Sequence, residues 1–88
     1  MTVFLEGNSM VSREAAHEHL AKALNLPDYY GRNLDALYDL VMEISEETEI
    51  VVLDSVLVVS FLGAYGQSLL STLREAVDNN PNLIMILM

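Results

Sequence analysis

LPDYYGRNLDALYDLVME, residues 26–43, is the stretch on which the fold of this chain turns. Pro27 discourages any helix arriving from upstream, and Gly31 follows two adjacent tyrosines on a short loop. Asn33 can then cap a new helix, with Asp35 in its favourable first turn. Leu34, Leu37, Tyr38, Val41 and Ile44 recur at helical spacing and form an apolar stripe. Asp35, Asp39 and Glu43 lie away from most of that stripe, each four residues from the next. That spacing stacks their side chains on one helix face, where like charges repel. A chain tolerates the cost most easily when something positive sits opposite. Tyr29 and Tyr30 point in different directions, so one packs inward and the other faces out. Aromatics beside a carboxylate row form a docking surface for a basic partner.

Working outward, Thr2 to Leu5 is a short β-rich run ended by Gly7 and Asn8. Ser12 can cap a helix from about Arg13 to Leu24, with Ala15, Ala16, Leu20, Ala23 and Leu24 on one side. Downstream of the central helix, Ser45 to Glu49 is acidic and polar, and Glu49 to Leu53 (EIVVL) forms a strand. Asp54 to Gly66 is ambiguous. Its β-branched residues favour a strand, but Asp54 and Ser55 can cap a short helix and Gly63 and Gly66 break the run, which favours a short helix or turn. GAYG, residues 63–66, fits a turn before an amphipathic helix from Gln67 to Asp78. Asn79, Asn80 and Pro81 end that helix, and Leu83 to Leu87 (LIMIL) is a last strand. Strands separated by helices imply parallel pairing. The predicted fold is therefore α/β: one small domain over residues 1–88, with a three-stranded parallel sheet packed with three to four helices. IVVL and LIMIL imply strands buried on both faces.

The 88 residues suffice for one domain, and a hydrophobic fraction of 52% suffices for its core. Thirteen carboxylates face four Lys/Arg, for a net charge of −9. Such a balance excludes general affinity for nucleic acid and argues against anionic membranes. It favours fast association with a basic macromolecule. Without cysteine there is no disulfide, no thiolate chemistry and no thiol metal ligand. The N-terminus has neither the basic start nor the apolar run of a signal peptide, and the expected location is the cytoplasm.

Chemistry other than docking finds little support. Asp35 and Asp39 are close enough to cooperate in acid–base work, but a convex helix face offers little pocket. Hydrolysis by this pair therefore ranks last among the functions considered. Glu43, Glu46, Glu47 and Glu49 lack the spacing of a calcium loop. His17 and His19 point about 200° apart on a helix, cannot share a metal, and read as surface histidines. No serine lies in a nucleophile elbow and no glycine loop would cradle phosphate. No cofactor, metal or catalytic residue is expected.

Leu26 to Leu40 resembles the barstar family of intracellular ribonuclease inhibitors, in the pattern Pro–x–Tyr–Tyr–Gly–x–Asn–Leu–Asp–Ala–Leu–aromatic–Asp. LREA, Leu73 to Ala76, is a second match, and with the element order the likeness covers essentially the whole chain. The resemblance implies a protein that is no enzyme. Members plug, one to one, the active site of a small, basic, secreted, guanyl-preferring ribonuclease and protect the cell that makes it. It implies that Asp39 enters the phosphate-binding site of that enzyme and pairs with arginines and the catalytic histidine. A carboxylate on a rigid helix can imitate the phosphate. Tyr29 would pack on the catalytic histidine, and Asn33 and Asp35 would add contacts. Gly31 would let the loop approach closely, and Glu75 would make a peripheral acidic contact. Tyr30, Leu34, Tyr38 and Glu43 complete the expected ribonuclease-binding set. Three features depart from the family pattern. Tyr38 stands where tryptophan is common, and Arg32 puts a positive charge in the acidic loop. Val56 to Leu62 is unusually apolar: it could extend the core, form a strand edge or bind a second chain, and an exposed apolar patch there would favour self-association. Arg32 and the apolar segment also motivate an alternative, a barstar-like immunity or adaptor module for a different basic protein.

Overall fold

Phe4, Val51 and Ile86 sit side by side across three parallel strands. The computed structural model describes all of residues 1–88. Strand β1 is Thr2–Glu6, β2 is Thr48–Leu53 and β3 is Leu83–Leu87, in the order β1-β2-β3. Helices α1 (Arg13–Ala23) and α2 (Leu34–Met42) connect β1 to β2. Helices α3 (Ser55–Leu62) and α4 (Ala64–Asp78) connect β2 to β3. The expected three-stranded parallel sheet is present, with four helices.

Strands that follow chain order, joined by crossovers of one hand, receive all their helices on one face. Val3, Leu5, Ile50, Val52, Leu83 and Met85 point into that helical layer and are buried. They meet Met10, Ala16 and Leu20 from the first crossover, Leu37 and Val41 from α2, and Leu69, Leu73 and Ala76 from α4. The other face differs from the expectation of strands buried on both sides. Phe4 is 54% exposed, Ile84 55% and Ile86 40%. Only Val51 is buried there, flanked on both sides by Phe4 and Ile86. A run of apolar residues marks a strand without saying whether a second layer exists to cover it.

The segment from Asp54 to Gly66 resolves as the short helix α3, followed directly by α4. Asp54 takes a left-handed conformation at its start (φ 50°), and Gly63 at its end has a positive φ of 59° with an extended ψ. The final helix begins at Ala64, so GAYG is not a turn before it. Gly66 lies inside α4 because a β-carbon there would stand 2.4 Å from the Val58 carbonyl oxygen of α3. The two helices need that close approach, and glycine permits it.

Candidate functional site

The site is built on α2, which is fastened at both ends. At its N-terminus the Asn33 Oδ1 accepts the Ala36 N–H at 2.8 Å. At its C-terminus the buried Asn80 amide donates to the carbonyls of Val41 (3.1 Å), Met42 (3.2 Å) and Ile44 (3.0 Å). Helix ends leave carbonyls without partners, and a buried unpaired group costs about 1–3 kcal/mol. The two N–H groups of Asn80 are shared among these carbonyls from the turn before β3; Val41 also accepts the Ile44 N–H at 3.2 Å, and the Asn80 Oδ1 accepts the Asn82 N–H at 3.0 Å. Asn80 reads in the sequence as part of a helix terminator, and no local signal separates it from Asn79. Leu37 and Val41 hold the inner side of α2 in the core. Asp35, Asp39 and Glu43 are all exposed on the outer side, and none is in an ion pair.

The tyrosine loop divides as expected. Tyr29 is 80% exposed, and Tyr30 is buried in the core cluster. Tyr30 therefore reaches solvent little, and its support is indirect. Its hydroxyl lies 2.5 Å from Nδ1 of His17, and the Tyr65 hydroxyl lies 2.6 Å from Nε2 of the same ring. His17 is buried, which corrects its reading as a surface histidine. His19 is half-buried and accepts the Glu6 N–H at Nε2, 2.9 Å away. Burial, then the charge of Arg32, lower the pKa of His17 below its ordinary 6.5. A neutral imidazole donates from one nitrogen and accepts at the other, so one tyrosine hydroxyl donates to it and the other accepts. Burial and the Tyr65 hydroxyl push Tyr30 up to about 12, against an opposing pull from Arg32. The resulting Tyr30–His17–Tyr65 chain ties the loop to α1 and α4. Its members are 13 and 48 residues apart, so no spacing announces it.

Other members of the expected set fall around this core. Gly31 is exposed, and its carbonyl accepts the Asn33 amide at 3.2 Å. Leu34 is half-buried, and Tyr38 is half-buried with its hydroxyl accepting from Asn79 at 3.0 Å. Glu75 is exposed on α4, one turn before Asn79. The cavities near the acid row are shallow. One, of about 200 Å³, lies between Leu26, Pro27, Tyr29, Leu40 and Glu43. No group of three or more His, Asp or Glu is placed to hold a metal, and no helix is long and apolar enough to cross a membrane. The arrangement is a convex, acidic, rigid surface with one projecting aromatic.

Residues 1–85 match the family model described as Barstar (barnase inhibitor). The chain belongs to the Barstar family. A curated relative from Bacillus subtilis (strain 168), named "Putative ribonuclease inhibitor YrdF", is 35% identical over 77 residues. That alignment covers 86% of this chain and 85% of the relative. Membership in Barstar accounts for a site that is a surface without a catalytic pocket. It identifies the protein with inhibitors and not with enzymes.

Proposed function

We propose that this protein inhibits a small, basic, secreted ribonuclease of guanyl preference by covering its active site one to one, and so protects the cytoplasm of the cell that makes it. The observation that carries the proposal is the acid row Asp35, Asp39, Glu43 on a helix fixed at both ends beside the exposed Tyr29. A cationic pocket shaped for RNA phosphate accepts a carboxylate held at the right place, and rigidity lowers the entropy cost of holding it there. Asp39, in the middle of the row, takes the phosphate position. Tyr29 stacks on the catalytic histidine of the enzyme, and Asn33, Gly31, Leu34 and Asp35 fit the surface around it. Tyr30 supports the loop from beneath, Tyr38 and Glu43 border the contact, and Glu75 lies at its rim. The net charge of −9 speeds the encounter and makes it sensitive to salt.

The test is titration of the protein into such a ribonuclease while RNA cleavage is followed, with Asp39→Ala alongside. Stoichiometric loss of cleavage, relieved by the substitution, is the expected result. Cleavage unchanged at equimolar inhibitor would refute it. One observation favours a second reading, in which the partner is a different basic protein: Arg32 brings a positive charge into the acidic loop and has no carboxylate partner. Capture of a basic protein without nuclease activity, released by Asp39→Ala, would decide for that reading.

A further inference from the structure

Arg13 and Arg32 run against the charge of the chain. With thirteen carboxylates to four Lys/Arg, the single ion pair is Lys22 with Glu18, 3.3 Å apart on α1. Both arginines nevertheless line one cleft of about 330 Å³, together with Glu14, His17, Asn33, Leu34 and Tyr65. Glu14, the carboxylate in that cleft, pairs with neither of them. The guanidinium carbon of Arg13 lies 4.1 Å from the centroid of the Tyr65 ring. Stacking engages the face of a guanidinium and leaves its N–H edge free for an oxyanion. Arg32 has a φ of 54°, a left-handed conformation that long side chains avoid. Asn25 and Asp54 share that sign of φ, but their short polar side chains tolerate it. Arg32 is exposed, and it lines the same cleft as Arg13, His17 and Tyr65.

The cleft is lined by Asn33, the N-cap of α2, and by Leu34, its first residue. A basic partner seated on the acid row therefore meets two cations beside it. Like charges facing each other there penalise binding, and an acid on the partner turns the penalty into an attraction. We propose that the Arg13–Arg32 cleft receives an aspartate or glutamate side chain of the partner ribonuclease, and by doing so selects which basic ribonuclease binds. The proposal rests on the inhibitor reading above and deepens it. Two guanidinium edges around one carboxylate form charge-assisted hydrogen bonds with directional demands, so the cleft fixes register as well as partner.

The test uses the full chain and the ribonuclease that it inhibits, with Asp39→Ala as the control for inhibition itself. Dissociation constants are measured for Arg13→Glu, Arg32→Glu, Arg32→Gln and Arg32→Gly. They are measured again against ribonuclease variants in which each carboxylate bordering the active site is changed to its amide. Arg32→Glu is expected to weaken binding by about tenfold or more, and Arg32→Gln by less. One ribonuclease amide variant should weaken the wild-type complex about fivefold and leave the Arg32→Gln complex unchanged, the mark of a direct pair. Arg32→Gly accepts the left-handed backbone, so its unfolding midpoint should hold while its affinity falls as for glutamine. Unchanged or tighter binding by Arg32→Glu overturns the proposal, as do additive effects at every ribonuclease carboxylate. If Asp39→Ala releases the enzyme while the arginine variants do not, the cleft assignment alone fails. If the wild-type protein inhibits no ribonuclease, both assignments fall together.

Discussion

Helices α2 and α3 are nearly equal in length, at nine and eight residues, yet they use their apolar residues in opposite ways. Helix α2 turns Leu37 and Val41 into the core and presents acids to solvent. Helix α3 is apolar nearly throughout but fully buries only Val58, leaving Val56 72% and Phe61 45% exposed. Its N-cap, Asp54, makes no side-chain capping bond, whereas Asn33 caps α2. The difference teaches that burial depends on the neighbours a helix finds and not on how apolar it is. Helix α2 packs along α4, while α3 leans on α4 and the 3-10 turn at Gly7–Ser9 near the sheet edge. Gly7 belongs to the same junction, because a β-carbon there would stand only 2.2 Å from the Asp54 carbonyl oxygen.

Replacing Leu37 with alanine breaks the comparison most severely. Leu37 is fully buried, and such truncations cost about 2–5 kcal/mol. Urea unfolding should show that loss, whereas Val56→Ala in α3 should leave the midpoint nearly unchanged. Asp39→Ala is the next largest, and it acts on binding: a loss of about 2 kcal/mol or more is expected for a central desolvated contact. Glu75→Ala, at the rim, should cost under about 1 kcal/mol by calorimetry. Equal losses at the two positions would remove the central role of Asp39.

The caps sharpen the contrast. Asn33→Ala should destabilise by about 1 kcal/mol, since it removes the bond to the Ala36 N–H. Asp54→Gly should be neutral or slightly stabilising, since no capping bond is lost and glycine accepts φ 50°. Acid should distinguish the two regions as well. The folded pKa of His17 lies below 6.5, so on acidification the unfolded chain takes up its proton first. The contribution of neutral His17 is complete above 6.5 and is lost as pH falls through the lowered folded value. Unfolding midpoints should therefore decline as pH is brought down from about 7, and His17→Gln should flatten that part of the profile. The smallest effect belongs to the exposed side of α3. Val56→Ser and Phe61→Ser should change stability by less than about 0.5 kcal/mol. If α3 mediates self-association, sedimentation should show them shifting the protein towards monomer. Sedimentation identical to wild type would leave α3 without that role.

The same contrast explains what could be read from the amino-acid order. Helix α2 was legible because its cap, apolar stripe and acid row repeat on a helical period. Helix α3 has no period, since apolar residues occur on every side, and only the glycines and Asp54–Ser55 favoured a helix. The uncovered sheet face escaped notice because Ile84 and Ile86 look like core residues in a one-dimensional pattern. His17, Tyr65 and Asn80 escaped for a different reason. Their partners lie up to 48 residues away, and no local spacing encodes contacts of that range.

Asn80 has a consequence in time as well as in space. Synthesis proceeds from the N-terminus, so the acid row leaves the ribosome well before the side chain that closes the C-terminal end of its helix. Until residue 80 has been added and folded back, the carbonyls of Val41, Met42 and Ile44 lack the side-chain amide of Asn80. The acid row is made early and its helix is finished late, and a chain cut short before Asn80 carries every acid of the row without the amide that closes the end of α2.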